Sequence, residues 1–188
     1  MILPSPTQVA DPIILCEALF NECPDISGVI LLLIGEFGKR MQILVTGGTG
    51  LLGNNVVREL LHRQLRPRVL VRETSDPRPL EGLDVDLVYG DIRDAAAVEA
   101  ACQGVDVAIH AAGYVKIGWS DREFHQAINV AGAANVARAV HQEQGRLVHV
   151  STVNTLGVAG PNQVADEESV KQPIIPCPYV ETKRAAEE

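Results

Sequence analysis

From residue 41 onward, short apolar runs alternate with amphipathic stretches. Residues 42–46 (QILVT), 68–72 (RVLVR), 86–89 (DLVY), 106–110 (DVAIH) and 146–151 (RLVHVS) have strand length and are apolar almost throughout. Between the first two, residues 51–63 put Leu52, Val56, Leu60 and Leu61 on one face at helical spacing. Asp94 predicts the N-cap of a helix reaching about Cys102, because its carboxylate can accept from the first-turn N–H groups, and Gly104 ends it. A long helical stretch lies within residues 121–144, and a last helix starts near Tyr179 after a loop to about Pro178. Strands that are apolar on both faces, separated by helices, predict a parallel sheet covered on both sides. Right-handed crossovers make this a doubly wound α/β sheet of the Rossmann type.

The first forty residues lack this alternation. They carry Pro4, Pro6, Pro12 and Pro24 and two cysteines, with a short helix expected over 13–21 and an apolar piece at 29–34. Residues 1–40 therefore read as an N-terminal appendage and residues 41–188 as the domain. The competing reading makes the first segment an element packed on the fold.

Composition narrows the function. The 188 residues are 46% hydrophobic and 21% charged, as expected of a globular protein. Sixteen Lys and Arg against twenty-four Asp and Glu give a net charge of -8, which argues against nucleic-acid or anionic-membrane partners. Cys16, Cys23, Cys102 and Cys177 form no CxxC pair and no Cys/His cluster, so neither a disulfide framework nor a metal site is expected. The apolar run at 26–34 is shorter than the roughly 20 residues a bilayer needs. No Lys or Arg precedes it, as a secretory leader would require. A soluble, cytoplasmic protein is the expectation.

The first chemical signal is TGGTGLLG at 46–53, which follows a strand and opens a helix. Gly47 permits a tight turn, Gly50 leaves room for a pyrophosphate, and Gly53 allows the helix to pack on the strand. Thr49, Leu51 and Leu52 complete the loop, and the helix N-terminus offers N–H groups to phosphate. The second strand ends in Arg72, where an acidic residue would select NAD. A guanidinium suits a 2′-phosphate, so NADP is expected, with NAD as the alternative. Asp91 and Ile92 end the third strand, Asp91 placed to accept from an adenine amino group. Ala111, Ala112 and Gly113 end the fourth strand and are small enough to touch a cofactor.

The second signal is Tyr179 and Lys183, four apart and so on one helix face. A cation there lowers the phenol pKa and suits Tyr179 to proton exchange near neutral pH. Ser151 and Thr152 stand at a strand's carboxyl end, where ligands bind in such sheets.

The ordered set TGGTGLLG (46–53), GDIRD (90–94), HAAG (110–113), NVAGAANV (129–136), VSTVNTLG (150–157) and YVETK (179–183) resembles the extended short-chain dehydrogenase/reductase family over nearly all of 41–188. Residues 71–94 look most like its dihydroflavonol-reductase and nucleotide-sugar-epimerase branches. The resemblance implies an NAD(P)-dependent oxidoreductase or epimerase acting on a small-molecule secondary alcohol or ketone. Tyr179 would be the general acid/base, and Lys183 would hold the nicotinamide ribose and depress the Tyr179 pKa. Thr152, five positions before Gly157, would hydrogen-bond the reacting oxygen, with Ser151 as the alternate. Asn129 would support the site or only bridge backbone groups. His110 reads as a packing residue, and Tyr114 and Trp119 as loop residues that line the substrate site or cover the sheet. A homodimer through helices flanking the site is also implied. Family members of this kind continue well past the Tyr/Lys pair, whereas this sequence ends at Glu188. The expected domain is thus partial, and a non-catalytic NADP-binding module stays open as the second reading.

Overall fold

The computed structural model describes residues 13–16, 41–157, 160, 162 and 174–188. In it six strands form one sheet: β1 (Ile13–Cys16), β2 (Ile43–Thr46), β3 (Arg68–Val71), β4 (Asp86–Tyr89), β5 (Val107–His110) and β6 (Arg146–Ser151). Their order is β1-β6-β5-β2-β3-β4, and every pairing is parallel. The chain order runs outward in one direction from β2 to β4 and in the other from β2 through β5 to β6. The reversal between β2 and β5 is the topological switch point, where the carboxyl ends of an open α/β sheet leave a crevice. The α/β doubly wound sheet expected from the apolar pattern is the fold observed.

Alternate strand residues feed two hydrophobic layers. Ile43, Val45, Val69, Val71, Val107 and Ile109 meet Val56, Val57 and Leu60 of α1 (Leu51–His62) on one face. Leu44, Leu70 and Ala108 meet Val98 and Ala101 of α2 (Ala95–Cys102), and Val136, Ala139 and Val140 of α4 (Ala133–Gln142), on the other. Asp94 caps α2 as expected, its carboxylate accepting from Ala96 N at 3.0 Å and Ala97 N at 3.4 Å. The stretch expected to be helical within 121–144 is not one regular helix. It begins as α3 (Arg122–His125), widens into a π-helical segment (Gln126–Gly132), and returns to α4. Asn129 lies in the widened part. The last helix, α5 (Pro178–Ala186), starts within a residue of the expected place, its proline in the first turn where a missing N–H costs nothing.

The short helix expected over 13–21 is contradicted at residues 13–16, which are extended and paired with Val148, His149, Val150 and Ser151. A nine-residue helix is marginal on its own. The open edge of β6, by contrast, presents a ladder of backbone donors and acceptors, and the Ile13-Ile14 pair suits a strand. The apolar piece at 29–34 lies outside the described residues. Among the described residues no helix is long and apolar enough to cross a membrane, and no three His, Cys, Asp or Glu converge as a metal-binding group.

This pairing predicts what a chain beginning at Met41 does. The order β6-β5-β2-β3-β4 survives, because both hydrophobic layers lie within 41–157. The amides of 148–151 that face β1 lose their partners, so hydrogen exchange there accelerates while β2 and β5 stay protected. Unchanged exchange across β6 would show that β1 contributes nothing, and collapse of all protection would make residues 1–40 part of the core.

Candidate active site and nucleotide cleft

The crevice at the switch point is a cleft of about 350 Å³, within the roughly 300–1,000 Å³ of small-molecule sites. Gly47, Thr49 and Gly50 line one wall. Arg72, Ser75, Asp91 and Ile92 line the end beyond β3 and β4. Ala111, Ala112, Gly113, Tyr114, Phe124 and Ile128 line the other side. Leu51, Leu52 and Gly53 are not lining residues. Leu51 is the first residue of α1, and its side chain is exposed.

The glycines divide by what surrounds them. Gly47 has φ +75, and a Cβ there would lie 2.6 Å from Ala112 N. A Cβ on Gly53 would lie 2.2 Å from the Gly47 carbonyl oxygen. Both are demanded by the fold itself. At Gly50 a Cβ would meet only the Gly47 oxygen, at 3.3 Å, with no other atom within 4 Å. Gly50 therefore opens on the cleft. It is also the N-cap of α1, which has no side-chain cap and no acidic residue in its first turn. Bare N–H groups and the positive dipole end suit a phosphate at that spot.

At the far end, Arg72 lines the cleft and also an adjoining hollow of about 210 Å³ shared with Glu73, Glu81 and Tyr89. Asp91 is engaged by Arg93, which donates to both carboxylate oxygens at 3.0 and 2.6 Å. That hydrogen bonding, with the charges of Arg93 and Arg72, holds the Asp91 carboxyl below its usual range. The Arg93 partner was not anticipated from sequence, although GDIRD contains it.

Tyr179 and Lys183 project from α5 and are both buried. They close a recess of about 40 Å³ together with Ala111, Ala112, Gly113, Val115 and Val150. The Ala111-Ala112-Gly113 wall belongs to this recess and to the nucleotide cleft alike. Thr152 does not line the recess. It is buried and caps the 3-10 turn Val153–Leu156, its hydroxyl oxygen accepting from Asn154 N at 3.5 Å and Asn154 Nδ2 at 3.3 Å. Ser151 Oγ is hydrogen-bonded to the Glu187 carboxylate. Asn129 is a bridge: its Oδ1 accepts from Tyr114 N at 2.8 Å, and its Nδ2 donates to Tyr114 O at 3.1 Å and Thr182 Oγ1 at 3.2 Å. It thereby ties the wall of the cleft to α5.

A group that sequence reasoning missed sits behind Lys183. The ammonium donates to Val150 O at 2.5 Å and to His149 Nε2 at 3.4 Å. A lysine only donates, so His149 accepts as a neutral imidazole. Its pKa is pushed down to about 3 by burial and then by the Lys183 charge. His149 in turn lies 5.3 Å from His110, ring to ring. His110 is buried, with Nδ1 hydrogen-bonded to Thr46 Oγ1 at 2.6 Å and a pKa also pushed well down by burial. His110 is a strand-end packing residue, as expected. The signal for His149 was present in the alternation of RLVHVS, which turns residue 149 toward the same face as Ser151.

The model of the NAD dependent epimerase/dehydratase family matches residues 43–188. The chain belongs to that family. Sterol demethylase protein B of Methylococcus capsulatus is 36% identical over 149 residues, covering 78% of this chain and 45% of that protein. A putative dihydroflavonol 4-reductase of Synechocystis is 40% identical over 134 residues, covering 69% of this chain and 38% of the other. The structure of Thermus thermophilus UDP-glucose 4-epimerase in complex with NAD superposes with a TM-score of 0.68 at 30% identity, over 78% of this chain and 49% of that one. The chain thus spans less than half the length of these relatives.

The buried pair His149 and His110 gives the fold a predicted acid sensitivity. Below pH 6.5 the unfolded chain takes up a proton at His149 that the folded chain refuses until about pH 3. This contribution to stability is complete above pH 6.5 and is lost as the pH falls through that window. The His149→Gln variant keeps an acceptor for Lys183 but does not titrate. Its melting temperature should fall less on acidification than that of the parent. Parallel melting curves against pH would exclude the histidine as the cause.

Proposed function

We propose that the protein is an NAD(P)-dependent oxidoreductase acting on a secondary alcohol or ketone, with Tyr179 as the general acid/base. One observation carries this reading: the recess of Tyr179 and Lys183 shares the Ala111-Ala112-Gly113 wall with the cleft of the glycine loop. A dinucleotide with its pyrophosphate over Gly50 at the α1 N-terminus would run along that wall toward Tyr179. When bound, the nicotinamide supplies or accepts hydride. Tyr179 gives a proton to the substrate oxygen or takes one from it, and the Lys183 charge favours the phenolate. Thr152 stands two residues beyond Val150 of the recess, and with its oxygen accepting from Asn154 its hydroxyl hydrogen is the part that would serve the substrate oxygen. The family membership supports NAD(P) chemistry, while the two curated relatives and the epimerase are named for different reactions.

We further propose NADP as the preferred nucleotide. Arg72 lines the cleft end and its adjoining hollow, where a forked guanidinium suits a 2′-phosphate. A homodimer through helices flanking the site belongs to the same reading.

Calorimetric titration with NADPH and NADH tests the nucleotide. NADPH should bind more tightly, and Arg72→Asp should cost it about 1.5–3 kcal/mol while sparing NADH. Equal affinities for both would remove Arg72 from the phosphate. The chemistry is read from nicotinamide absorbance during ketone reduction. Tyr179→Phe should leave folding and nucleotide binding intact and lower turnover by about 10²–10⁴. A Tyr179→Phe protein as active as the parent would leave the chain a nucleotide-binding module.

A further inference from the structure

Three neighbouring strands carry polar side chains in one row toward the carboxyl end of the sheet. Thr46 of β2 is in register with His110 of β5, and His110 with His149 of β6. All three are buried, at 0, 1 and 4% exposure. Polar groups in such positions carry a desolvation cost unless they are hydrogen-bonded, and the row is linked along its length. Thr46 Oγ1 accepts from Ala112 N at 3.2 Å and shares a hydrogen with His110 Nδ1 at 2.6 Å. The His110 and His149 rings lie 5.3 Å apart and 31° from parallel. At the β6 end of the row, His149 Nε2 accepts from the Lys183 ammonium at 3.4 Å, beside the bond from that ammonium to Val150 O at 2.5 Å.

The row also has a place in the site. Thr46 immediately precedes Gly47, and His110 immediately precedes the Ala111-Ala112-Gly113 wall that cleft and recess share. A lysine ammonium is a point charge on a flexible four-carbon stem, so its acceptors decide where it rests. Val150 O is a main-chain group that any residue at 150 would supply. The His149 ring is a side-chain acceptor, and it changes with the residue. The neighbouring His110 ring, itself tied to Thr46, limits how far that imidazole can turn.

We propose that His149 is a positioning residue of the reaction: its Nε2 holds the Lys183 ammonium in the recess beside Tyr179, in the place from which the lysine serves the nucleotide and the phenol. The inference rests on the oxidoreductase reading above and adds to it a residue that acts through Lys183. It also fixes the tautomer, because an Nε2 that accepts from lysine leaves the imidazole proton on Nδ1.

The test has two arms on the full chain. In the first, the histidine nitrogens are isotope-labelled, the His149 ring is assigned by its loss in His149→Gln, and nitrogen–proton correlations read its tautomer. The expected ring carries its proton on Nδ1. In the second, calorimetry measures NADPH affinity in the parent, His149→Gln, His149→Leu, Lys183→Met and the His149→Leu Lys183→Met double variant. His149→Leu should bind about tenfold more weakly, the size of a lost hydrogen bond to a charged group. His149→Gln, which returns an acceptor, should recover most of that loss. With Lys183→Met already in place, His149→Leu should change affinity by less than about twofold, because no ammonium is left to position. A proton on Nε2 would overturn the inference, since that nitrogen could not then accept. So would a His149→Leu protein that binds as the parent does, or one whose loss persists without the lysine, which would make the histidine a packing residue of the sheet. Should the leucine variant not fold, His149→Gln binding as weakly as Lys183→Met would overturn the inference on its own. Failure of the parent to bind NADPH strikes instead at the oxidoreductase reading, and the ring tautomer still decides the lysine contact.

Discussion

The structure depends on how closely three pieces of backbone approach at the switch point. The carbonyl of Gly47 lies where a Cβ on Gly53 would be, and the backbone of Ala111 and Ala112 lies where a Cβ on Gly47 would be. The end of β2, the first turn of α1 and the end of β5 are therefore in backbone contact. No side chain can be inserted at either glycine without parting them. Asn54 adds a strap, its Nδ2 donating to Gly48 O at 3.3 Å and Pro79 O at 2.8 Å. The cleft is the open side of this seam, and its shape follows from the two glycines that cannot change and the one, Gly50, that faces outward.

The recess of Tyr179 is built differently. Its helix, α5, has nine residues, too few to be stable alone. It is held by polar contacts from below: Lys183 into Val150 O and His149, Thr182 to Asn129, and the Arg184 guanidinium to the carbonyl of Thr155. Asn129 can reach both Tyr114 and Thr182 because the helix carrying it is widened over Gln126–Gly132. Such π-helical turns are uncommon and collect at functional sites. The nucleotide cleft is thus fixed by backbone sterics, and the proton-transfer recess by buried hydrogen bonds. That difference makes the recess the more sensitive of the two to acid, since His149 is one of the groups that hold Lys183.

The surface outside the recess follows from the same bracing. Asp121 sits at φ +61, a left-handed conformation that Asp tolerates better than most residues. From there its carboxylate gathers Lys116, Ser120 and Tyr114. With the polar groups of the loop satisfied among themselves, the apolar side chains are the ones left facing outward.

Periodicity alone determined the five strands β2 to β6 and the helical stretches between them, because strand and helix place their apolar residues at distinct spacings. The Tyr179–Lys183 pair and the Asp94 cap were equally legible, since each is a relation across two to four residues. What the tertiary structure decided was every relation between distant residues. Residues 13–16 became a strand rather than a helix because the edge of β6, more than 130 residues away in sequence, offered partners that an isolated helix lacks. His149 became the acceptor for Lys183 because burial makes an unpaired charge expensive and the nearest group in space answers it. Asn129 became a bridge rather than a helix surface residue because the π-helical segment carries its amide within reach of both Tyr114 and Thr182.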